Sequence, residues 1–260
     1  MTRKNRIMVV GTSALAAFML GLTGYVALTG DEESDGPKEK GKEGSASASP
    51  KPGPSYQPPD DWSEPTRWAS LPRGKKTDSH GNDVGFPHTT NGAVAMLAAS
   101  TAMDAKGGRT VVDEQVGIYD SYMSKEDHTA ANKAKVRAGA KQRDAQMRQQ
   151  VGISGQGDLP AGAYVRSNVI GFKVIKKSAD EVSVYLLSRV TMKGNEVDKE
   201  KSSYARSVLA GQWEDKDWKV STAATAAAAQ EAQTDSMPAI AAPGDVAFNK
   251  GGWTAIREAS

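Results

Sequence analysis

The residue types that carry out chemistry at neutral pH are sparse in this chain and poorly grouped. There is no Cys, which excludes thiol nucleophiles, disulfide frameworks and thiolate zinc sites. His80, His88 and His128 are the only histidines. They stand in a loop, ahead of a helix and at a helix start, without the i, i+4 or short-loop spacing that metal sites use. No metal and no cofactor is expected. Asp113, Glu114 and Asp120 lie close enough to suggest a carboxylate pair for acid and base work. Asp113 and Glu114 are better explained as negative charge in the first turn of a helix. No G-x-S-x-G elbow is present. The GKKT at Gly74 to Thr77 fails as a phosphate loop, because Lys76 replaces the hydroxyl residue and Ala69 stands where the first Gly belongs. The acids from Asp31 to Gly36 fail as a calcium loop, because Lys42 occupies the position of the bidentate Glu. The sequence therefore points away from an enzyme and toward surfaces.

Three such surfaces stand out. Lys125, Lys133, Lys135, Arg137, Lys141, Arg143 and Arg148 outnumber Glu126, Asp127 and Asp144 along one helical stretch. A solvated face usually looks like this, and its contact version would use Lys133, Lys135, Arg137, Lys141, Arg143 and Arg148 on an acidic partner or anionic lipid. Nucleic acid is not expected, since aromatic interleaving is absent and Lys+Arg 33 against Asp+Glu 31 leaves a net charge of only +2. In an early apolar stretch Ser13, Ala17 and Gly21 recur every four residues, a small-residue stripe that lets two spanning helices approach. Finally, Tyr164, Tyr185, Tyr204 and Trp213 are placed to line a pocket in the concavity of a curved sheet.

The elements that position these residues follow from composition and period. Residues 1–6 hold Arg3, Lys4 and Arg6 and form a basic tip. Residues 7–30 are uncharged, and 24 residues at about 1.5 Å each are enough to cross a hydrocarbon core of roughly 30 Å. A transmembrane helix with the N-terminus cytoplasmic is expected, favoured over a cleaved signal because the stretch is long and lacks a good A-x-A site. Residues 31–61, rich in Pro, Ser and charge, read as a disordered linker. Residues 62–222 then form an extracytoplasmic domain. It starts with an irregular lead-in to Pro87, continues with helices from Thr90 or Asn91 to before Gly107, from Asp113 to Tyr122, and from about Lys125 to Val151. Past Gly152 to Pro160 the period changes to two, with strands around Ile170 to Val174, Val182 to Met192, Ser202 to Trp213 and Asp217 to Thr222. Short connections argue for an antiparallel meander, and helices before strands for an α+β fold. Residues 223–260 form an Ala-rich extension that packs back weakly.

Two motifs carry a family likeness. Gly85, Phe86, Pro87, Thr89, Gly92 and Ala93 make a GFP-x-T-x-x-GA helix start, and Asp215, Asp217, Trp218, Lys219 and Val220 make a late D-x-DWKV strand. With this order of parts the chain resembles actinobacterial single-span, membrane-anchored proteins of unknown function. The layout of residues 62–222 also resembles the assembly subunits of conjugation and type IV secretion machines, whose outer domain has a cone-shaped, nuclear-transport-factor-like fold. The resemblance implies a cell-membrane protein with its C-terminal domain outside. It would serve as a scaffold or interaction module in an envelope complex, with the membrane, other envelope proteins and itself as partners. No catalytic residues are carried over. The alternative is a small-ligand-binding domain, which needs a roomy pocket in the sheet concavity. The scaffold reading instead expects that concavity filled by Phe172, Leu186 and the first helix.

Overall fold

A computed structural model describes residues 62–106, 110–155, 157–234 and 237–257. Three short strands come first: β1 (Trp68–Ser70), β2 (Lys76–Thr77) and β3 (Asp83–Val84). Helix α1 (Thr90–Ala99) follows, then β4 (Met103–Lys106), α2 (Val111–Tyr122) and α3 (Ala130–Gln150). The long strands are β5 (Tyr164–Lys177), β6 (Glu181–Lys193) and β7 (Lys201–Glu214), closed by the short β8 (Asp217–Val220). Helices α4 (Thr222–Thr234) and α5 (Val246–Gly251) and strand β9 (Thr254–Arg257) complete the chain.

Side chains fix the helix starts. Thr89 caps α1 by accepting from Gly92 N, Thr129 caps α3 by accepting from Asn132 N, and Thr110 forms a full capping box with Asp113 on α2. That box gives Asp113 a structural task. The first helix ends earlier than its apolar pattern suggests, because Ser100 Oγ and Thr101 Oγ1 turn back onto the carbonyls of Leu97 (2.8 Å) and Ala98 (2.9 Å). The chain then extends into β4, where the sequence alone predicted continued helix.

The main sheet has the order β1-β9-β5-β6-β7-β8, with β4 also pairing β5. The β5 to β8 meander is antiparallel throughout, as expected, but β1 and β9 run parallel. The expected fold class therefore needs correction: the fold is α+β, but the sheet is mixed, short strands precede the helices and further helices follow the meander. Strand pairing between opposite ends of the chain leaves no hairpin signal in the sequence. No helix among the described residues is long and apolar enough to cross a membrane. The expected span over residues 7–30, its stripe of Ser13, Ala17 and Gly21, and the linker at 31–61 lie outside the described residues.

Both faces of the sheet are covered. One carries α1, α2 and α3 over Phe172, Val182, Val184, Leu186 and Leu209. The other carries α4 and the C-terminal segment, with Phe248, Trp253 and Ala255 buried against Tyr185 and Leu187. The C-terminal segment up to Arg257 is thus embedded more deeply than the weak docking expected: Trp253 is fully buried, its indole N–H donating to Ala239 O at 2.8 Å. Helix α4 holds to β7 through Ala224, Ala228 and Ala232, four residues apart and all buried. In β5 the register shifts between Val169 and Gly171 and between Val174 and Lys176, so the residues opposite the inward side chains of β6 pass from odd (Val165, Ser167) to even (Phe172, Val174) numbers and back to odd at Lys177.

Candidate functional site

The helix-covered face of the sheet has two ends. At one end the two sequence motifs clasp each other. Asp217 accepts from the backbone N–H groups of Gly85 and Phe86, each at 2.9 Å, and Trp218 Nε1 donates to Pro87 O at 2.9 Å. Gly85 has φ +78°, which favours glycine, and a Cβ on Gly92 would come within 1.9 Å of Pro87 O. The β7–β8 turn puts Asp215 and Lys216 at φ 49° and 66°, the backbone of a two-residue hairpin turn. Trp213 and Trp218 pair edge to face at 5.4 Å, and His88 stacks on Trp213 at 4.0 Å. Here Phe172, Leu186 and α1 share one apolar core, with Val94, Met96 and Leu97 fully buried. This end of the sheet is filled.

The other end is open. The strand registers align Ala105, Val165, Met192 and Lys201 in one row across β4, β5, β6 and β7, and Met103, Ser167, Val190 and Ser203 in the next. Helix α3 crosses above them with Arg143, Gln146, Met147 and Gln150 at the i, i+3, i+4, i+7 spacing of one helical face. Between helix and sheet lies a cleft of about 540 Å³, lined by Met103, Val111, Met147, Val165, Val190 and Met192 and bordered by Arg143 and Lys201. That volume falls in the usual range of ligand sites. The lining includes no histidine and no carboxylate. Lys201 Nζ donates to Gln150 O at 3.2 Å and so ties the C-terminal end of α3 to the sheet.

The candidate pocket residues do not converge on this cleft. Tyr185 and Tyr204 project to the opposite face, where Tyr185 OH donates to Ala232 O. Trp213 belongs to the filled end. Tyr164 is out at the edge, its hydroxyl bonded to Glu200 and its ring under Arg166. Alternation along a strand assigns residues to two faces without saying which face a cleft will occupy.

The basic helix face is likewise divided. Lys133 pairs with Asp120 at 2.6 Å, and Arg148 is buried, held by Asp144 at 2.8 Å and by Gly157 O. Lys135, Arg137 and Lys141 are exposed, whereas Arg143 borders the cleft. Its Nη1 donates to the buried Gln115 Oε1 at 3.2 Å, and among the described residues no carboxylate forms an ion pair with it. Desolvation by the surrounding apolar wall pushes the guanidinium below its ordinary pKa.

Asp120 gathers partners that spacing did not foreshadow: His128 Nε2 at 3.3 Å, His80 Nε2 at 3.8 Å and Lys133. The histidines lie far apart in the chain, so their approach is a product of the fold. Among the described residues no group of three or more His, Asp or Glu is arranged to hold a metal ion. Nearby, Asp78 accepts from Ser121 Oγ at 2.5 Å and from the N–H groups of His80 and Asn82. Burial alone would raise the Asp78 pKa, but these hydrogen bonds outweigh it and hold the carboxyl below its usual value.

Residues 116–242 match the family model of a domain of unknown function, DUF8175. The match begins inside α2 and spans α3, the β5 to β8 meander and α4. It thus takes in α3 and the three long strands around the cleft, while leaving out β4, α1 and the C-terminal strand. No curated protein and no solved structure matches the chain.

Proposed function

We propose that this protein is a non-catalytic binding domain whose site is the cleft between α3 and the open end of the sheet, where it holds a small apolar molecule. One observation carries the reading: a cavity of about 540 Å³ walled by methionine and valine side chains, in a domain whose other end is filled. Three of those side chains, Met103, Met147 and Met192, are unbranched and polarizable and adapt to ligands of irregular shape. The filled end suits the scaffold expectation, but the cleft favours the ligand-binding alternative.

The test is a titration of the full chain with the uncharged fluorescent probe N-phenyl-1-naphthylamine. Saturable binding to the native protein is expected. It should be lost in Ala205→Phe, which fills the cleft, and weakened in Met192→Trp at its half-buried wall, with unfolding midpoints recorded for both. Saturable binding that neither folded variant reduces would place the probe elsewhere and refute the reading.

A further inference from the structure

The cleft carries one feature that an apolar ligand alone does not explain, which is the guanidinium of Arg143 on its wall. Building on the binding reading above, we infer that the ligand is a single-chain anionic amphiphile, with its acid group on Arg143 and its hydrocarbon chain along Met103, Met147, Val165, Val190 and Met192.

Arg143 is half-buried, and a charge partly withdrawn from water without a counter-charge is unfavourable, so a protein normally answers it with a partner. Among the described residues, the side-chain partner of Arg143 is the neutral amide oxygen of Gln115. The acid next to it in the sequence, Asp144, is turned to Arg148 instead. The adjoining hollow of about 500 Å³ shares Gln150, Met192 and Lys201 with the cleft, and its wall carries Lys193, Lys199 and Lys201 against the single acid Asp198. The whole approach therefore favours a negative group. Beneath the lining, Ser167, aligned between Met103 and Val190, is 1% exposed and its hydroxyl has no hydrogen-bond partner among the described residues. A guanidinium presents paired N–H donors that match a carboxylate or phosphate, while the methionine wall matches an alkyl chain.

The probe pair is dodecanoate and dodecanol, equal in chain and different in charge, each titrated into the full chain by displacement of N-phenyl-1-naphthylamine. Dodecanoate is expected to bind about tenfold or more tightly than dodecanol, the scale of one charge-assisted hydrogen bond. Arg143→Gln should erase that preference while leaving dodecanol binding in place, and Arg143→Lys should restore part of it. Because Arg143→Gln also removes a tie between α3 and Gln115, a second readout uses the native chain: raising salt should weaken dodecanoate and leave dodecanol unchanged. Equal displacement by the two probes, or a preference undiminished in folded Arg143→Gln, would overturn the anionic inference and leave the binding reading standing. Failure of the neutral probe itself to bind would overturn the binding reading and, with it, this inference.

Discussion

The two ends of one sheet face use the same strands for opposite purposes. Toward β8, Val182, Val184 and Leu209 meet a helix of small and apolar residues, α1, which lies close enough to leave no space. Toward β4, the same strands present Val190, Met192 and Ser203 to α3, a helix with few apolar side chains and many long polar ones. A thin apolar stripe on a highly charged helix supplies too little volume to fill the space beneath it, and a cleft remains. The difference teaches that a cavity can be encoded by what a helix lacks, without any dedicated pocket motif.

This contrast can be broken by substitution. The largest effect is expected for Trp218→Ala, which removes a fully buried indole and its bond to Pro87 O at the filled end; about 3–5 kcal/mol of stability should be lost, read as a drop in urea midpoint. A matched pair of methionines sharpens the comparison. Met96→Ala, in the filled core at 0% exposed, should cost about 2–5 kcal/mol, whereas Met147→Ala, beside an existing cleft, should fall at the low end of that range, about 2 kcal/mol, and also reduce probe binding. Next comes Asp217→Ala, which strips the acceptor from Gly85 and Phe86 and should cost about 1–3 kcal/mol by the same measurement.

The smallest effect concerns acid. Asp78 has a folded pKa below its ordinary 3.8, so its stabilising contribution is present above 3.8 and is lost as pH falls through the lower folded value. Urea midpoints of the native chain should therefore fall more steeply in that acid window than those of Asp78→Asn. Parallel curves for the two proteins would contradict the assignment.

Much of the framework was readable in the residues. Helix α2 and the three long strands follow from period and spacing; β6 and β7 lie within a residue of their expected bounds, whereas β5 begins six residues before Ile170. The third helix starts at Ala130 instead of near Lys125 because Ser124 and Asp127 close a turn, with Ser124 Oγ donating to Asp127 Oδ2 at 2.8 Å. The parallel pairing of β1 with β9 was not readable, since it joins residues at opposite ends of the chain. The packing of the C-terminal segment was readable as weak docking only, and the full burial of Phe248 and Trp253 goes beyond it; the alanine stripe of α4 carries a weak hydrophobic signal even though every fourth residue is covered.

The site was legible only in fragments. Arg143 stood out as one of a row of basic residues, but charge patterning does not separate the solvated Lys141 from the cleft-bound Arg143. Nothing in the sequence marks Met147 as a cavity wall. The tyrosines have the aromatic character of pocket formers, but strand parity sends Tyr185 and Tyr204 to the far side.

The claim that one end is filled and the other binds is tested most directly by methionine methyl NMR of the full chain titrated with dodecanoate. Met103, Met147 and Met192 line the cleft and Met96 lies in the filled core, so the reporters are already distributed between the two ends. The prediction is saturable shifts of the Met103, Met147 and Met192 methyl signals, with Met96 unmoved. Still signals from all three cleft methionines at saturating dodecanoate, or a shift of Met96 as large as theirs, would contradict it.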